Sequence, residues 1–287
     1  MTEILQRCNF LYTNLMDCVD KDTNPIKESS CYKCTKNNYQ YSNNDNYECL
    51  KKLCVYTMFY GVQYVNEIYS FLHTSNFLND LINGEREYIK NNSLYGFNHF
   101  SQNHMIPIRL NIMSLGCGFG PDDIALNKYR DSHLDWNVYF NYFGQDKEPL
   151  WNFITQNNAL PITYDLLNGM NFQNVNILFI NKLFSTLKKN GLDDSFLQVL
   201  RNSLYSLPTN SYVIYNDINH PNEGRDEFDA FLIENNFECI GKYYTDGYTG
   251  NYTKLDIRNI CLVPDGIAIT PRDYDIKTVF FLYQKVQ

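Results

Sequence analysis

The sequence lacks the features that would mark a membrane protein or a general nucleic-acid binder. No apolar run approaches the roughly 18 residues that suggest a membrane-spanning helix. Lysine and arginine form no long run, and 24 of them stand against 32 acidic residues, for a net charge of −8. This balance excludes an overall attraction to nucleic acid, and it leaves a local contact open. We predict a chain that does not associate with membranes.

A secretory signal and an even cysteine count are also absent. The first residues include Glu3 and Arg7 and lack an apolar core, and the nine cysteines are an odd number. Both absences favour a reducing, cytoplasmic location over a disulfide-stabilised secreted one. No internal repeat is visible, and 287 residues give room for one large domain with an appendage.

Four cysteines flank a polar segment that is poor in aliphatic residues. Cys31 and Cys34 form a Cys-x-x-Cys pair, and Cys49 and Cys54 follow after a fourteen-residue spacer. Two residues between thiolates let both sulfurs reach one ion from a tight turn, and a second pair completes a tetrahedron. We predict a structural zinc site. The alternative is a set of reduced cysteines in a polar loop, an environment that cysteine usually avoids.

The rest of the first 105 residues shows mainly helical patterns. Apolar residues recur at spacings of three and four over residues 1–20, 53–72 and 77–89, which predicts three helices. Residues 91–104 are polar and aromatic and are predicted to form a loop. We therefore assign residues 1–105 to a helical, cysteine-rich region.

Over residues 106–287 the pattern changes to alternating strands and helices, which predicts an α/β domain built on a parallel sheet. Residues 245–275, rich in glycine and proline, are predicted to form an insertion before the last strand. The predicted strands cover residues 110–115, 138–143, 160–164, 175–180, 212–215, 237–244 and 278–285.

A glycine-rich turn follows the first of these strands. Gly116, Gly118 and Gly120 are spaced two apart, and a proline and two aspartates then open the next helix. Glycine suits such a turn because a Cβ would obstruct its backbone angles and would keep a ligand away from the backbone. The turn therefore predicts a binding site for a nucleotide-type cofactor.

These residues together resemble the class I S-adenosylmethionine-dependent methyltransferases, and the resemblance extends from Leu110 to the end of the chain. It implies a Rossmann-like sheet that is mostly parallel, with the last strand antiparallel beside the fifth. It also implies that Asp146 binds the ribose hydroxyls of S-adenosylmethionine and that Asp165 lies near the adenine amino group. The implied cofactor-binding residues are Gly116, Cys117, Gly118, Gly120, Asp146, Lys147, Asp165, Leu166 and Asn181.

The main alternative is a dinucleotide-binding oxidoreductase. A dinucleotide places its pyrophosphate at the positive end of the helix after the turn. Asp122 and Asp123 occupy this end and would repel a pyrophosphate, whereas the ammonium and sulfonium of S-adenosylmethionine tolerate them. The glycines are also spaced two and two, not two and three as in the dinucleotide fingerprint. Both observations favour the methyltransferase.

The methyl acceptor is less constrained, because transfer from an activated sulfonium can rest largely on positioning. A Pro-Pro motif after strand four and a Pro-Cys nucleophile are absent, and Asn181 stands where a ribose methyltransferase would need aspartate. These absences disfavour amino-directed DNA, cytosine-carbon and ribose methylation. The candidate catalytic residues are Asn181, Lys182, Asp217 and His220, the histidine as a general base.

Three functions remain open. The first is a methyltransferase for a macromolecule, RNA or protein, which the cysteine-rich segment helps to dock; we favour this one. The second is a methyltransferase for a small molecule, with the N-terminal helices capping its site. The third is a non-catalytic, zinc-containing binding protein that keeps the fold.

Overall fold

The computed structural model describes residues 1–15, 49–92, 106–133, 136–155, 161–247, 251–272 and 277–286. Within these ranges eight strands form one mixed sheet. The strands are β1 (Ile108–Leu115), β2 (Val138–Asp146), β3 (Ile162–Thr163), β4 (Ile177–Asn181), β5 (Tyr212–Ile218), β6 (Phe237–Tyr244), β7 (Thr253–Lys254) and β8 (Thr278–Lys285).

The order of the strands across the sheet is β3-β2-β1-β4-β5-β8-β6-β7. Strands β1 to β5 pair in parallel, whereas β8 lies antiparallel between β5 and β6. The chain moves outward from β1 to β3 and then returns to β4, so the order reverses between β1 and β4. The predicted mixed sheet, with its last strand antiparallel beside the fifth, is confirmed.

Helices lie on both faces of this sheet, and the three predicted N-terminal helices are present. The α-helices are α1 (Thr2–Asn14), α2 (Leu50–Ser75), α3 (Phe77–Asn92), α4 (Pro121–Asp131), α5 (Phe184–Lys189), α6 (Asp193–Leu204) and α7 (Arg225–Glu234). Short 3-10 turns cover Pro149–Phe153, Leu166–Asn168 and Pro221–Glu223. Among the described helices, none is both long and apolar enough to cross a membrane.

The two faces of the sheet carry separate hydrophobic cores, because successive side chains of a strand point to opposite sides. One core joins α1 to α4 with one face of the sheet, and Phe71 of α2 stacks on Phe280 of β8 with ring centroids 4.8 Å apart. The other core lies under α5 to α7. The N-terminal helices therefore pack directly on the sheet. Helix α2 covers one face and contacts the side chains of β4, β5 and β8 that point to that face.

The structure describes two of the four predicted zinc ligands. Cys49 lies just before α2, whereas Cys54 lies within α2 and is fully buried against Cys8 of α1. A hydrogen bond with Cys54 and burial raise the pKa of the Cys8 thiol. Cys31 and Cys34 fall outside the described ranges. Within those ranges no group of three or more His, Cys, Asp or Glu side chains could hold a metal, so the zinc site has no support there.

Candidate active site

A cavity lies over the carboxyl ends of β1, β2, β4 and β5. In open α/β sheets ligands bind at the place where the strand order reverses, which here is the gap between β1 and β4. The cavity is lined by the glycine turn after β1, the ends of β2 and β4, the 3-10 turn after β3, and α2.

The glycine turn has the backbone that the sequence predicts. Gly116, Gly118 and Gly120 have φ angles of +63°, +55° and +75°, the left-handed region that favours glycine. A Cβ on Gly116 would lie 2.9 Å from Cδ1 of Leu183, so this position is also sterically closed. Gly120 does not line the cavity but caps the start of α4.

Asp146 links the end of β2 to the glycine turn. Its Oδ2 accepts a hydrogen bond from the Gly118 N–H at 2.9 Å, and its Oδ1 accepts one from the Glu148 N–H at 2.9 Å. Burial raises the pKa of this carboxyl, and the two N–H donors oppose the rise. Each carboxylate oxygen can accept a further bond, so Asp146 can still bind a ligand in the cavity that it lines.

Trp151 contacts both the glycine turn and helix α2. Its ring lies against Gly118, where a Cβ would be 3.4 Å from Cζ2, and it meets the ring of Tyr56 of α2 edge-on at 6.2 Å. The side chain is buried and lines the cavity. It therefore forms an apolar wall beside Asp146.

The segment after β3 also lines the cavity. Asp165 is exposed, and its Oδ1 accepts a hydrogen bond from the Leu167 N–H at 3.0 Å, while Leu166 is buried. Eight of the nine predicted cofactor-binding residues line the cavity, and their contacts with a cofactor stay predictions. These eight are Gly116, Cys117, Gly118, Asp146, Lys147, Asp165, Leu166 and Asn181.

Two buried amides face the cavity from the ends of β4 and β5. Asn181 is 7% exposed and Asn216 is 2% exposed, and the two residues are neighbours in the β4–β5 register. In the described part of the chain, neither amide atom of Asn181 has a hydrogen-bond partner, nor does Nδ2 of Asn216. Both residues line the cavity, so a ligand there can satisfy them.

Lys182 follows Asn181 and also lines the cavity, and its ammonium group lies near Tyr64 and Glu67, which line the cavity too. Its φ angle of +51° turns the chain at the end of β4, and its backbone N–H donates to the Asn216 carbonyl at 2.7 Å. Its Nζ donates to Oγ1 of Thr278 at 2.7 Å and lies 5.5 Å from the ring centre of Tyr64. Burial lowers the pKa of this lysine, and the nearby carboxylate of Glu67 opposes the decrease.

Asp217 and His220, the other two candidate catalytic residues, do not line the cavity. The carboxylate of Asp217 is fully buried and accepts bonds from the backbone N–H and the hydroxyl of Ser185 at 2.9 and 2.5 Å. His220 is exposed, and its Nδ1 accepts a bond from the Asn222 N–H at 3.2 Å. Both side chains stabilise the local backbone through these hydrogen bonds, whereas Asn181 and Lys182 line the cavity.

Helix α2 supplies lining residues that sequence reasoning missed. Tyr56, Tyr64, Glu67 and Ile68 all line the cavity. The tyrosines at positions 56, 60 and 64 recur every four residues, and this aromatic stripe was the available signal. Residues 251–272 pack outside this helix, where the Arg272 N–H donates to the Phe59 carbonyl at 2.8 Å.

Asp122 corrects one step of the sequence reasoning. Its side chain is fully buried, and Oδ1 accepts a hydrogen bond from the hydroxyl of Tyr142 at 2.9 Å. Burial raises the pKa of Asp122 to about 6. The carboxyl group points into the core, so Asp122 contributes little of the predicted repulsion of a pyrophosphate, which is left to Asp123 at this end of the helix.

Three of the solved structures to which the chain is similar are methyltransferases. The N-methyltransferase NodS from Bradyrhizobium japonicum, in complex with S-adenosylhomocysteine, shares 8% identity at a TM-score of 0.41, over 62% of this chain and 79% of its own. A TehB-like S-adenosylmethionine-dependent methyltransferase from Corynebacterium glutamicum shares 12% identity at a TM-score of 0.38, over 74% and 98%. An arsenic(III) methyltransferase from Chlamydomonas reinhardtii shares 11% identity at a TM-score of 0.37, over 62% and 64%. No protein-family model and no curated protein matches the chain.

The strand order defines this chain as an α/β protein with a Rossmann-like sheet that is mostly parallel, with β8 antiparallel beside β5. The glycine turn follows β1 and Asp146 ends β2, as the resemblance implies, and both line the cavity where the strand order reverses. Because the identities to the solved structures are near 10%, activity and substrate are inferred from the residues of this chain.

Proposed function

We propose that the chain binds S-adenosylmethionine in this cavity and transfers its methyl group. The observation that carries the proposal is the position of Asp146, which is bonded to the Gly118 N–H and lines the cavity at the end of β2. A carboxylate can accept hydrogen bonds from both hydroxyls of a ribose, and the left-handed glycines let the rest of the ligand approach the backbone.

The charge of the cavity supports a cationic cofactor. Its lining includes four carboxylates and two lysines, and an aromatic wall is formed by Tyr56, Tyr64 and Trp151. A sulfonium is attracted to carboxylates and to the faces of aromatic rings, whereas a pyrophosphate is repelled by the same carboxylates. The carboxylates are those of Glu67, Asp146, Glu148 and Asp165.

The reaction needs little from the protein beyond positioning. A lone pair of the acceptor attacks the methyl carbon, the carbon–sulfur bond breaks, and its electron pair stays on sulfur to give S-adenosylhomocysteine. An acceptor that carries a proton releases it to a base or to water. Asn181 and Lys182 remain the candidate residues for contact with the reacting groups, because both line the cavity.

For the acceptor we favour a small molecule over RNA or protein, which reverses the preference from sequence. Helix α2 forms one wall of the cavity, and residues 251–272 pack outside that helix. We expect a small acceptor to reach the cavity without displacing this wall, which a macromolecular acceptor would have to move. The macromolecular alternative relied on a cysteine-rich docking segment, whose Cys31 and Cys34 lie outside the described residues.

Calorimetry with S-adenosylhomocysteine tests the cofactor proposal. The wild-type protein should bind it, and Asp146→Ala should weaken binding at least about tenfold, or about 1.4 kcal/mol. The exposed Asp131→Ala serves as the matched control and should leave the affinity unchanged. Adenosine and 2′,3′-dideoxyadenosine serve as a second pair of probes. Asp146→Ala should weaken the binding of adenosine more than that of 2′,3′-dideoxyadenosine, because the latter lacks the ribose hydroxyls. A wild-type protein without affinity for S-adenosylhomocysteine would contradict the proposal.

Transfer of a labelled methyl group into cell extract tests the acceptor class. We expect label in the low-molecular-weight filtrate. Label confined to RNA or protein would contradict the small-molecule assignment, and label nowhere would favour the non-catalytic alternative.

The predicted zinc site is tested by metal analysis. We propose that Cys54 is a core residue and not a ligand, because it is buried against Cys8. Cys54→Ala should leave the metal content of the purified protein unchanged, while Cys31→Ser should lower it if a zinc ion is present. Loss of one zinc per chain in Cys54→Ala would instead support the predicted site of four cysteines.

A further inference from the structure

We propose that the methyl acceptor is a small molecule with a carboxylate, and that this carboxylate binds Lys182 and Asn216. The inference rests on the proposed function, since it concerns the second substrate of the same cavity. We call the part of the cavity formed by Asn181, Lys182, Asn216, Tyr64 and Glu67 its polar end.

The fold assembles the polar end on one face of the sheet. Asn181 follows Phe179 by two positions in β4, and Asn216 follows Ile214 by two positions in β5, so each amide shares a face with its apolar predecessor. Phe179 and Ile214 belong to the core under α2. The two amides therefore lie beneath the helix that carries Tyr64 and Glu67, away from bulk solvent.

The unpartnered amides show that the polar end is built for a ligand. Buried amide groups without hydrogen bonds cost free energy, and native structures rarely keep them unless a ligand or water satisfies them. Within the described residues Asn181 lacks partners for both amide atoms, and Asn216 lacks one for Nδ2. Two such groups side by side on adjacent strands line the same cavity.

The ammonium group of Lys182 indicates that this ligand is negatively charged. Thr278 accepts one of its three N–H bonds among the described residues, and Tyr64 lies 5.5 Å away on the helix side. An ammonium and an amide NH₂ are both donors, so the complementary group has acceptor oxygens and a negative charge. A carboxylate provides two such oxygens, one for each donor.

The carboxylate of Glu67 repels this anion, so a substitution of Glu67 tests the charge of the ligand within the same site. Its carboxylate lines the polar end and accepts a hydrogen bond from Nε2 of Gln63 at 3.3 Å. It attracts Lys182, and it repels any carboxylate that binds beside that lysine. Removing its charge should therefore tighten the binding of an anionic acceptor.

Calorimetry on the protein saturated with S-adenosylhomocysteine tests the inference. The probes are acetate and benzoate, each compared with its neutral amide, acetamide or benzamide. At least one carboxylate should bind, and its amide should bind at least tenfold more weakly. Lys182→Met and Asn216→Ala should each weaken the carboxylate at least fivefold, Glu67→Gln should strengthen it, and Lys189→Met, outside the cavity, should change nothing.

The outcomes separate the two proposals. A protein that binds S-adenosylhomocysteine but prefers neither carboxylate to its amide overturns the inference and leaves the proposed function standing. Carboxylates that displace S-adenosylhomocysteine also overturn it, because the polar end would then hold the carboxylate of the cofactor itself. A protein that does not bind S-adenosylhomocysteine overturns both proposals.

Discussion

Asp122 is a carboxylic acid buried between α4 and β2, where burial raises its pKa to about 6. An unfolded aspartate titrates near 3.9. Between these two pH values the folded protein holds a proton that the unfolded chain has lost, so the contribution of Asp122 to stability falls as the pH rises from about 4 to about 6. Above pH 6 the penalty of the buried charge is complete and constant.

We predict that Asp122→Asn stabilises the protein at pH 7, by up to about 3 kcal/mol, since a shift of one unit corresponds to about 1.4 kcal/mol. The amide keeps an acceptor for the hydroxyl of Tyr142 and carries no charge. Urea unfolding at pH 4 and pH 7 measures the difference, which should nearly vanish at pH 4. The exposed Asp131→Asn is the matched control and should change the stability little at pH 7. A variant less stable than wild type at pH 7 would contradict the prediction.

Gly116 should be less replaceable than Gly118, whose added Cβ would be 3.4 Å from its nearest neighbour. Gly116→Ala places a Cβ 2.9 Å from Leu183 at a φ of +63°, so we expect a loss of about 1–2 kcal/mol in the free energy of unfolding. Affinity for S-adenosylhomocysteine should fall as well, because the turn must shift. Calorimetry and urea unfolding measure both effects.

Gly84 in the exposed part of α3 is the matched control for that substitution. A Cβ there meets no atom within 4 Å, so Gly84→Ala should stabilise the protein by up to about 1 kcal/mol. Equal effects of the two substitutions would show that the conformation of the turn is unimportant.

The sequence predicted which residues occur at the site better than it predicted where they point. Asp122 begins a helix, but it lies on the same buried stripe as Ala125, Leu126 and Tyr129, and that periodicity could have revealed its orientation. Asp217 follows Asn216 in β5, so only one of the two can face the cavity. Nothing in the sequence of β5 decides which of them does, because that depends on the helices that cover each face.

Helix α2 shows the same limit at the level of an element. Its apolar spacing predicted the helix but not the surface that it covers, because periodicity identifies a buried face and not the partner of that face. In the structure its polar residues also have partners. Asn66 accepts the Ile260 N–H at 3.1 Å, and Ser70 accepts the Arg258 N–H at 2.8 Å. The insertion is thus attached to α2 through bonds between α2 side chains and its own backbone.

We predict that Asn66→Ala loosens residues 251–272 from α2. The substitution removes the acceptor of the Ile260 N–H and a contact with Asn259, at a cost of about 1–3 kcal/mol. Limited proteolysis or hydrogen exchange should then show faster opening within 251–272 than in the wild type. Asn79→Ala, in the first turn of α3, should leave this segment unaffected. Unchanged protection of residues 251–272 would mean that other contacts hold the insertion.

At the scale of the whole molecule, the sheet was the most predictable feature. Alternating strands and helices and the glycine turn indicated the fold, and the resemblance supplied the antiparallel position of β8. The short β7 was missed because two residues in a loop rich in glycine and proline carry no periodic signal. The division at residue 105 stays a prediction, because a change of sequence pattern does not reveal how much surface two regions share.

Unfolding of the complete chain tests that division. Residues of α1, α2 and α3 share one hydrophobic core with β1, β4 and β8, and the candidate cofactor cavity is lined from both sides of the proposed boundary. We therefore expect a single cooperative thermal transition, which S-adenosylhomocysteine at 100 times its Kd should stabilise by about 2.7 kcal/mol. Far-ultraviolet circular dichroism and the fluorescence of Trp151 and Trp136 should report the same midpoint, with and without the ligand. Two transitions, of which only one shifts with the ligand, would mean that the N-terminal region folds independently and does not contribute to the binding site.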